Sequence, residues 1–289
     1  MAILKNTYLK IEIISQGAEL KSIKDMDGVE YLLDDHQFWG YTSPHLFPSI
    51  GALRNQEFTY KGQTYSLKKH GFARNMDFSI VSEDDKQITY EIQSTDETLK
   101  IYPFPFTLQV QYLLDGKRIT VKYTVKNKGE EKMVFSLGGH PAFLAPRSED
   151  QNFIDYYLEF EEYEDLESIA INLDNGLLKR NTIPIGNNMK ILNLDKRLFT
   201  IDTLLFKDLK SSFVSLKNRK DNKEVKLTIS EFPFLGIWTT LGPSPFISIE
   251  PWIGHPDFED EQGEFLEKED SPHLGSYEEK SYSYHMDIL

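Results

Sequence analysis

The sequence predicts an all-β protein, a large antiparallel β-sandwich, and three observations carry that expectation. Apolar and polar residues alternate with period two through most of the chain. Turn-forming residues such as Lys61-Gly62 and Asp115-Gly116-Lys117 separate the alternating runs. Convincing amphipathic helices are scarce. With 289 residues, no composition break and no internal repeat, residues 1–289 are read as a single domain, a length that all-β domains often reach undivided.

The elements follow in order. Tyr8–Ser15 alternates and leads through Gly17 into Leu20–Lys24. Glu57–Leu67 reads as a hairpin about Lys61-Gly62. Asp77–Ser82 and Gln87–Gln93 pair around the acidic turn Asp84-Asp85. Phe106–Leu114 and Arg118–Val125 form the clearest hairpin. Lys132–Leu137 is a strand-like run, followed by Gly138 and Gly139. Later strands are expected at Tyr156–Glu161, Ser211–Leu216, Val225–Ser230, Leu235–Thr240 and Phe246–Glu250, the last ended by Pro251, which offers no ladder donor. Asn172–Arg197, rich in Asn, Lys and Gly, is read as a surface excursion. The acidic run Asp257–Asp270 is read as a solvated loop.

Composition narrows the partners and the chemistry. A hydrophobic fraction of 39%, with 13% aromatic residues, can bury a sizeable core. The net charge of -14 would be repelled by a phosphate backbone, so no nucleic-acid partner is expected. The absence of cysteine removes disulfides, thiolate nucleophiles and cysteine-ligated metals. The first residues lack a signal-peptide core, and no apolar run approaches the roughly 20 residues of a membrane helix. A cytoplasmic protein without a membrane partner is the expectation. Nothing in the sequence bears on its oligomeric state.

Several residue types point to acid–base work on a small polar ligand. His140 follows two glycines and is fixed in front by Pro141, which disfavours a helical backbone. An imidazole held there suits a general acid or base, or is simply a hydrogen-bonded turn histidine. In Phe246–Trp252 alternation puts Ser248 and Glu250 on one face and Ile247 and Ile249 on the other. Glu250 beside Trp252 would be partly desolvated, a better base with a raised pKa, or else a salt-bridged strand-end carboxylate. Trp252 and Trp238 offer flat surfaces for a sugar ring. Arg54 and the pair His70 and Arg74 flank the Glu57–Leu67 hairpin, which brings its flanks together, so they line one opening or stand as ordinary surface cations. Asp202, polar within the apolar run Thr200–Phe206, faces a pocket or caps a turn. His255-Pro256-Asp257 supplies too few ligands for a metal sphere, so no metal site is expected.

These segments together resemble the aldose 1-epimerase (galactose mutarotase-like) family, most closely its short bacterial LacX-type branch. The resemblance is carried, in order, by FPSIGALRN, KKHGFARN, GGHPAF, IDTLLF and SIEPWIGHPD, from Phe47 to Asp257. It implies a β-sandwich of the supersandwich type. It also implies an acid at His140, a base at Glu250, a second active-site histidine at His70, and sugar-hydroxyl contacts at Arg54 and Asp202. Arg74 belongs to the form of its motif found in the short branch. Glycine precedes His140 where well-characterised galactose mutarotases carry asparagine. The expected function is interconversion of the α and β anomers of an aldohexose, with no cofactor. A hexose-6-phosphate epimerase, using Arg54, Arg74, Lys68 and Lys69 for the phosphate, is an alternative, as is a non-catalytic sugar-binding protein. A glycosidase is disfavoured because only one carboxylate stands out.

Overall fold

The computed structural model describes residues 1–289. It contains 22 strands and one α-helix of six residues, Asp96–Ile101. No helix is long and apolar enough to cross a membrane. Two antiparallel sheets dominate. The larger has nine strands, in the spatial order Leu178–Asn193, Tyr156–Ile171, Phe213–Asn218, Glu224–Thr228, Glu279–Ile288, Arg118–Asn127, Phe106–Asp115, Gln87–Gln93 and Ser79–Glu83. The smaller sheet runs Leu204–Lys207, Phe234–Trp238, Phe246–Ile253, Leu137–Gly139 and His45–Leu46, with Ala142–Leu144 as a sixth strand beside Phe246–Ile253. A three-stranded sheet, Ala2–Lys5, Leu9–Ile13 and Leu20–Asp25, holds the N-terminal segment.

The period-two pattern becomes the sandwich core. In Phe106–Asp115 and Arg118–Asn127 the alternate residues Leu108, Val110, Tyr112, Ile119, Val121 and Tyr123 are fully buried. Side chains bridge the layers at several points. His45, on the small sheet, lies 2.7 Å from the hydroxyls of both Tyr112 and Tyr123 on the large one. The Leu205 N–H donates to Ser168 Oγ at 2.9 Å across the same gap.

Burial holds His45 down to about 4, against an ordinary value of 6.5. Its unfolded form therefore binds a proton more readily. The resulting stability is fully present above about pH 6.5 and is lost as pH falls towards 4, by about 3 kcal/mol in all. Urea unfolding at pH 7.5 and 4.5 should show this loss in the parent, and His45→Gln should flatten the dependence. An unchanged slope in the variant would remove His45 from the account and leave the effect to other buried imidazoles.

Four local expectations need correction. Leu178–Asn193, inside the expected surface excursion, is a 16-residue strand paired to Tyr156–Ile171. It is the edge of the nine-stranded sheet, and its mostly exposed residues lack the alternation that burial on one face imposes. The strand at Phe246 continues through Pro251 to Ile253. The Ile249 N–H points to Pro141 O, so the Pro251 nitrogen, two residues on, faces the same side. There it falls between the partners of Ser248 and Trp252, Ala142 and Gly138, so no ladder bond is lost. Gly138 and Gly139 lie inside the strand Leu137–Gly139. The acidic run is only partly solvated: Asp257 and Lys268 are buried and paired with each other.

Candidate active site

A cavity of about 320 Å³ opens on the face of the small sheet that points away from the core, at the lower end of the size range for ligand pockets. Its floor is the strand Phe246–Ile253. As alternation requires, Ile247 and Ile249 enter the core while Ser248 and Glu250 face the other way. His140 Nδ1 lies 3.1 Å from Ser248 Oγ, and its Nε2 lies 3.0 Å from Glu250 Oε2. The latter approach is off line for a hydrogen bond, and neither Glu250 oxygen has a protein partner. Glu250 is 1% exposed and His140 6%. Two buried, titratable groups thus meet with their reactive atoms unspent.

Trp252 lies beneath Glu250 because both flanking strands present glycine. A Cβ at Gly138 would sit 2.6 Å from Trp252 Cδ1, and one at Gly236, across from Glu250, would sit 3.2 Å from Trp252 Cζ2. The Gly-Gly-His motif therefore meets a close-approach requirement at Gly138.

The flanks of the Glu57–Tyr60/Gln63–Ser66 hairpin do come together. Phe72 N donates to Phe47 O and His70 N to Gly51 O, each at 3.0 Å. His70 Nδ1 accepts the Gly51 N–H at 3.2 Å, so a neutral His70 carries its proton on Nε2. Arg74 lines the cavity, stacks on Tyr41 with its guanidinium 4.7 Å from the ring centre, and donates to Lys69 O at 3.1 Å. Arg54 does not line it. Asn55 and Gln56 take positive φ, and the Arg54 side chain turns outward to bond Glu261 O at 3.1 Å while its N–H caps Asp257. The expected basic wall is built from Lys69 and Arg74 instead.

Asp202 lines the cavity but does not belong to a strand. It follows the 3-10 turn Lys196–Ile201 with φ 71° and ψ -142°, a conformation costly for any residue with a Cβ. Its Oδ1 accepts from Thr203 N at 2.7 Å. Lys196 ties this turn to the loop after Trp238, donating to Thr239 Oγ1 and to Ser244 O, both at 2.8 Å. Asp202→Gly should raise stability by about 1 kcal/mol by releasing the backbone. It should also weaken ligand binding about tenfold through loss of one hydrogen-bonding group. Urea denaturation and calorimetric titration would measure the two effects; loss of stability together with unchanged binding would make Asp202 a structural cap.

Sequence reasoning missed Trp39 and Tyr41, which line the cavity from the irregular stretch between Leu33 and Pro44. The signal was an aromatic pair within a polar segment lacking any periodicity. Ile171, Gly176, Thr203 and Pro256 also line it and carried no individual signal.

The electrostatics have clear causes. Burial pushes the Glu250 carboxyl well above the ordinary carboxylate range; Lys69 opposes this and Asp202 adds to it. Burial pushes His140 well below the usual imidazole value, and Arg74 and Lys69 lower it further. His70 is lowered in the same way, first by burial and then by His140, Lys69 and Arg74.

Fold and site together define a two-layer antiparallel β protein with a buried carboxyl–imidazole pair in a ligand-sized pocket walled by aromatic rings and cations. The sequence profile of the aldose 1-epimerase family matches residues 2–271, and the chain belongs to that family. It is 38% identical over 259 residues to the plasmid-encoded and chromosomal LacX proteins of Lactococcus lactis subsp. lactis, covering 87% of both chains in each comparison. Its structure is similar to a galactose mutarotase related enzyme from Lactobacillus acidophilus, with a TM-score of 0.92, 32% identity, and 100% and 97% of the two chains covered. A galactose mutarotase-like protein from Lactobacillus casei gives a TM-score of 0.92 at 30% identity, with both chains covered completely.

Proposed function

We propose that the protein is an aldose 1-epimerase that interconverts the α and β anomers of an aldohexose. The observation that carries this reading is the Glu250–His140 pair, 3.0 Å apart, buried and open only to the cavity. The two oxygens that must exchange protons in mutarotation, O1 and the ring oxygen O5, are bonded to the same carbon. An acid and a base side by side match that geometry better than groups on opposite faces of the ring.

Glu250, ionised, takes the proton from the C1 hydroxyl while protonated His140 gives one to O5. The O1–H electron pair, freed of its proton, forms the second C1–O1 bond of the aldehyde, and the C1–O5 bond breaks with its electron pair going to O5. Rotation about C1–C2 and closure with the roles reversed give the other anomer. The opening step leaves Glu250 protonated and His140 neutral, the uncharged pair that burial favours. The desolvated site thus supports the open-chain state, with each positioned group supplying about 10²–10⁴-fold. Neutral His70, with its proton on Nε2, and Asp202 provide a donor and an acceptor for sugar hydroxyls.

Lys69 and Arg74 on the cavity wall support a second reading, a phosphorylated hexose as substrate. Polarimetry of freshly dissolved α-glucose, α-galactose and a hexose 6-phosphate separates the two. Acceleration of at least one above its spontaneous rate is expected. Tight sugar binding with no acceleration of any would overturn the enzymatic reading in favour of a sugar-binding protein.

A further inference from the structure

We propose that Trp39 is a positioning residue for the acid–base pair: its indole closes one face of the His140 ring and supports the ring in its protonated form. The two rings lie 4.5 Å apart between centres at 31°. Phe246 stacks behind Trp39 at 5.9 Å and 18°, and Trp238 meets both Trp39 and His140 at 5.6 Å in edge-on geometry. The face of an indole carries negative charge and attracts a cation placed over it.

The groups around His140 show why such support matters. Lys69 and Arg74 repel a charge on the ring, His70 lies 5.8 Å away between ring centres, and Ser248 occupies Nδ1. Asp202 acts on Glu250 rather than on His140 directly. Among the side chains in contact with the imidazole, Glu250 and Trp39 favour the imidazolium, and a backbone hydrogen bond at His140 acts the same way. The base of the segment carrying Trp39 is fixed, since the Glu19 carboxylate accepts the N–H groups of Thr42 and Ser43 at 2.5 and 2.9 Å. Tyr41, two residues after Trp39, donates to Asn75 Oδ1 at 3.1 Å and packs under Arg74. The indole is thus delivered to His140 by an anchored stretch of chain.

This inference rests on the proposed mutarotase reading only for its consequence in catalysis, so the decisive measurement is made without sugar. The His140 ring is titrated by NMR in the parent, Trp39→Leu and Trp39→Phe. Leucine keeps an apolar cover but removes the aromatic face, so the imidazolium should lose its proton about 0.5–1.5 pH units lower. Phenylalanine should fall between the two. If any aldose is turned over, the basic limb of kcat should move down by a similar amount, with a smaller change in KM. Titration of Trp39→Leu at or above the parent value would overturn the proposal, leaving the indole as a cover that merely excludes water. A His140 that stays neutral throughout in both proteins would overturn it equally. The expected NMR shift with no turnover of any aldose would leave Trp39 in this role and sink the mutarotase reading instead.

Discussion

Glu250→Gln is expected to lower kcat for anomer interconversion by about 10²–10⁴ while sugar binding survives. Glutamine keeps the shape and a hydrogen-bonding oxygen but cannot take a proton at neutral pH. His140→Asn should cost a similar factor, since it keeps polarity beside Ser248 and removes the titrating ring. The double variant should lose far less than the product of the single losses, because the two groups act in one concerted exchange. Polarimetric progress curves on the preferred sugar, with binding measured by calorimetry, would check all three. Glu250→Gln turning over at nearly the parent rate would remove it as the base.

The same pair sets the pH dependence. The base must be ionised and the acid protonated, so kcat should follow a bell. Burial raises Glu250 and lowers His140, which moves the limbs towards each other and narrows the bell. With the reactive atoms 3.0 Å apart, the limbs belong to the pair rather than to either residue.

Much of the sandwich was legible in the sequence because a sheet buried on one face writes its register into alternate residues. Phe106–Asp115 with Arg118–Asn127 is the plainest case. Leu178–Asn193 was illegible for the converse reason: an exposed edge strand has no buried face to enforce alternation. At the site, Ser248 and Glu250 could be placed on one face from the pattern alone, and His140 could be denied a helix by Pro141. Their contact could not be read, because it depends on the pairing register, in which Gly138 faces Trp252 and Ala142 faces Ser248, so that His140 falls opposite Glu250. Arg54 and Arg74 looked equivalent on either side of one hairpin, yet Arg54 is held on the acidic loop, its N–H donating to Asp257 and its guanidinium to Glu261 O, contacts between residues 203 and 207 positions apart in sequence. Trp39 reaches the site through an irregular segment, where sequence spacing has no geometric meaning.

Removing the cations of the cavity wall tests how the substrate is held. Lys69→Met and Arg74→Met should each raise KM more than they lower kcat, because their charges bind the ligand without exchanging protons with it. Loss of one charge-assisted hydrogen bond corresponds to about 10–10²-fold in binding. The loss should reach the upper end for a hexose phosphate and stay near the lower end for a free sugar. A second signature follows from the field at the pair. Positive charge from Lys69 lowers both Glu250 and His140, so removing it should raise both and carry the kcat bell to higher pH. Arg74 acts on His140 in the same direction, so Arg74→Met should move chiefly the basic limb upward. Both variants can be followed by polarimetry across pH with phosphorylated and free hexoses. A large fall in kcat at unchanged KM would instead place that cation on the transition state, and a bell that does not move would show that its charge does not reach the pair.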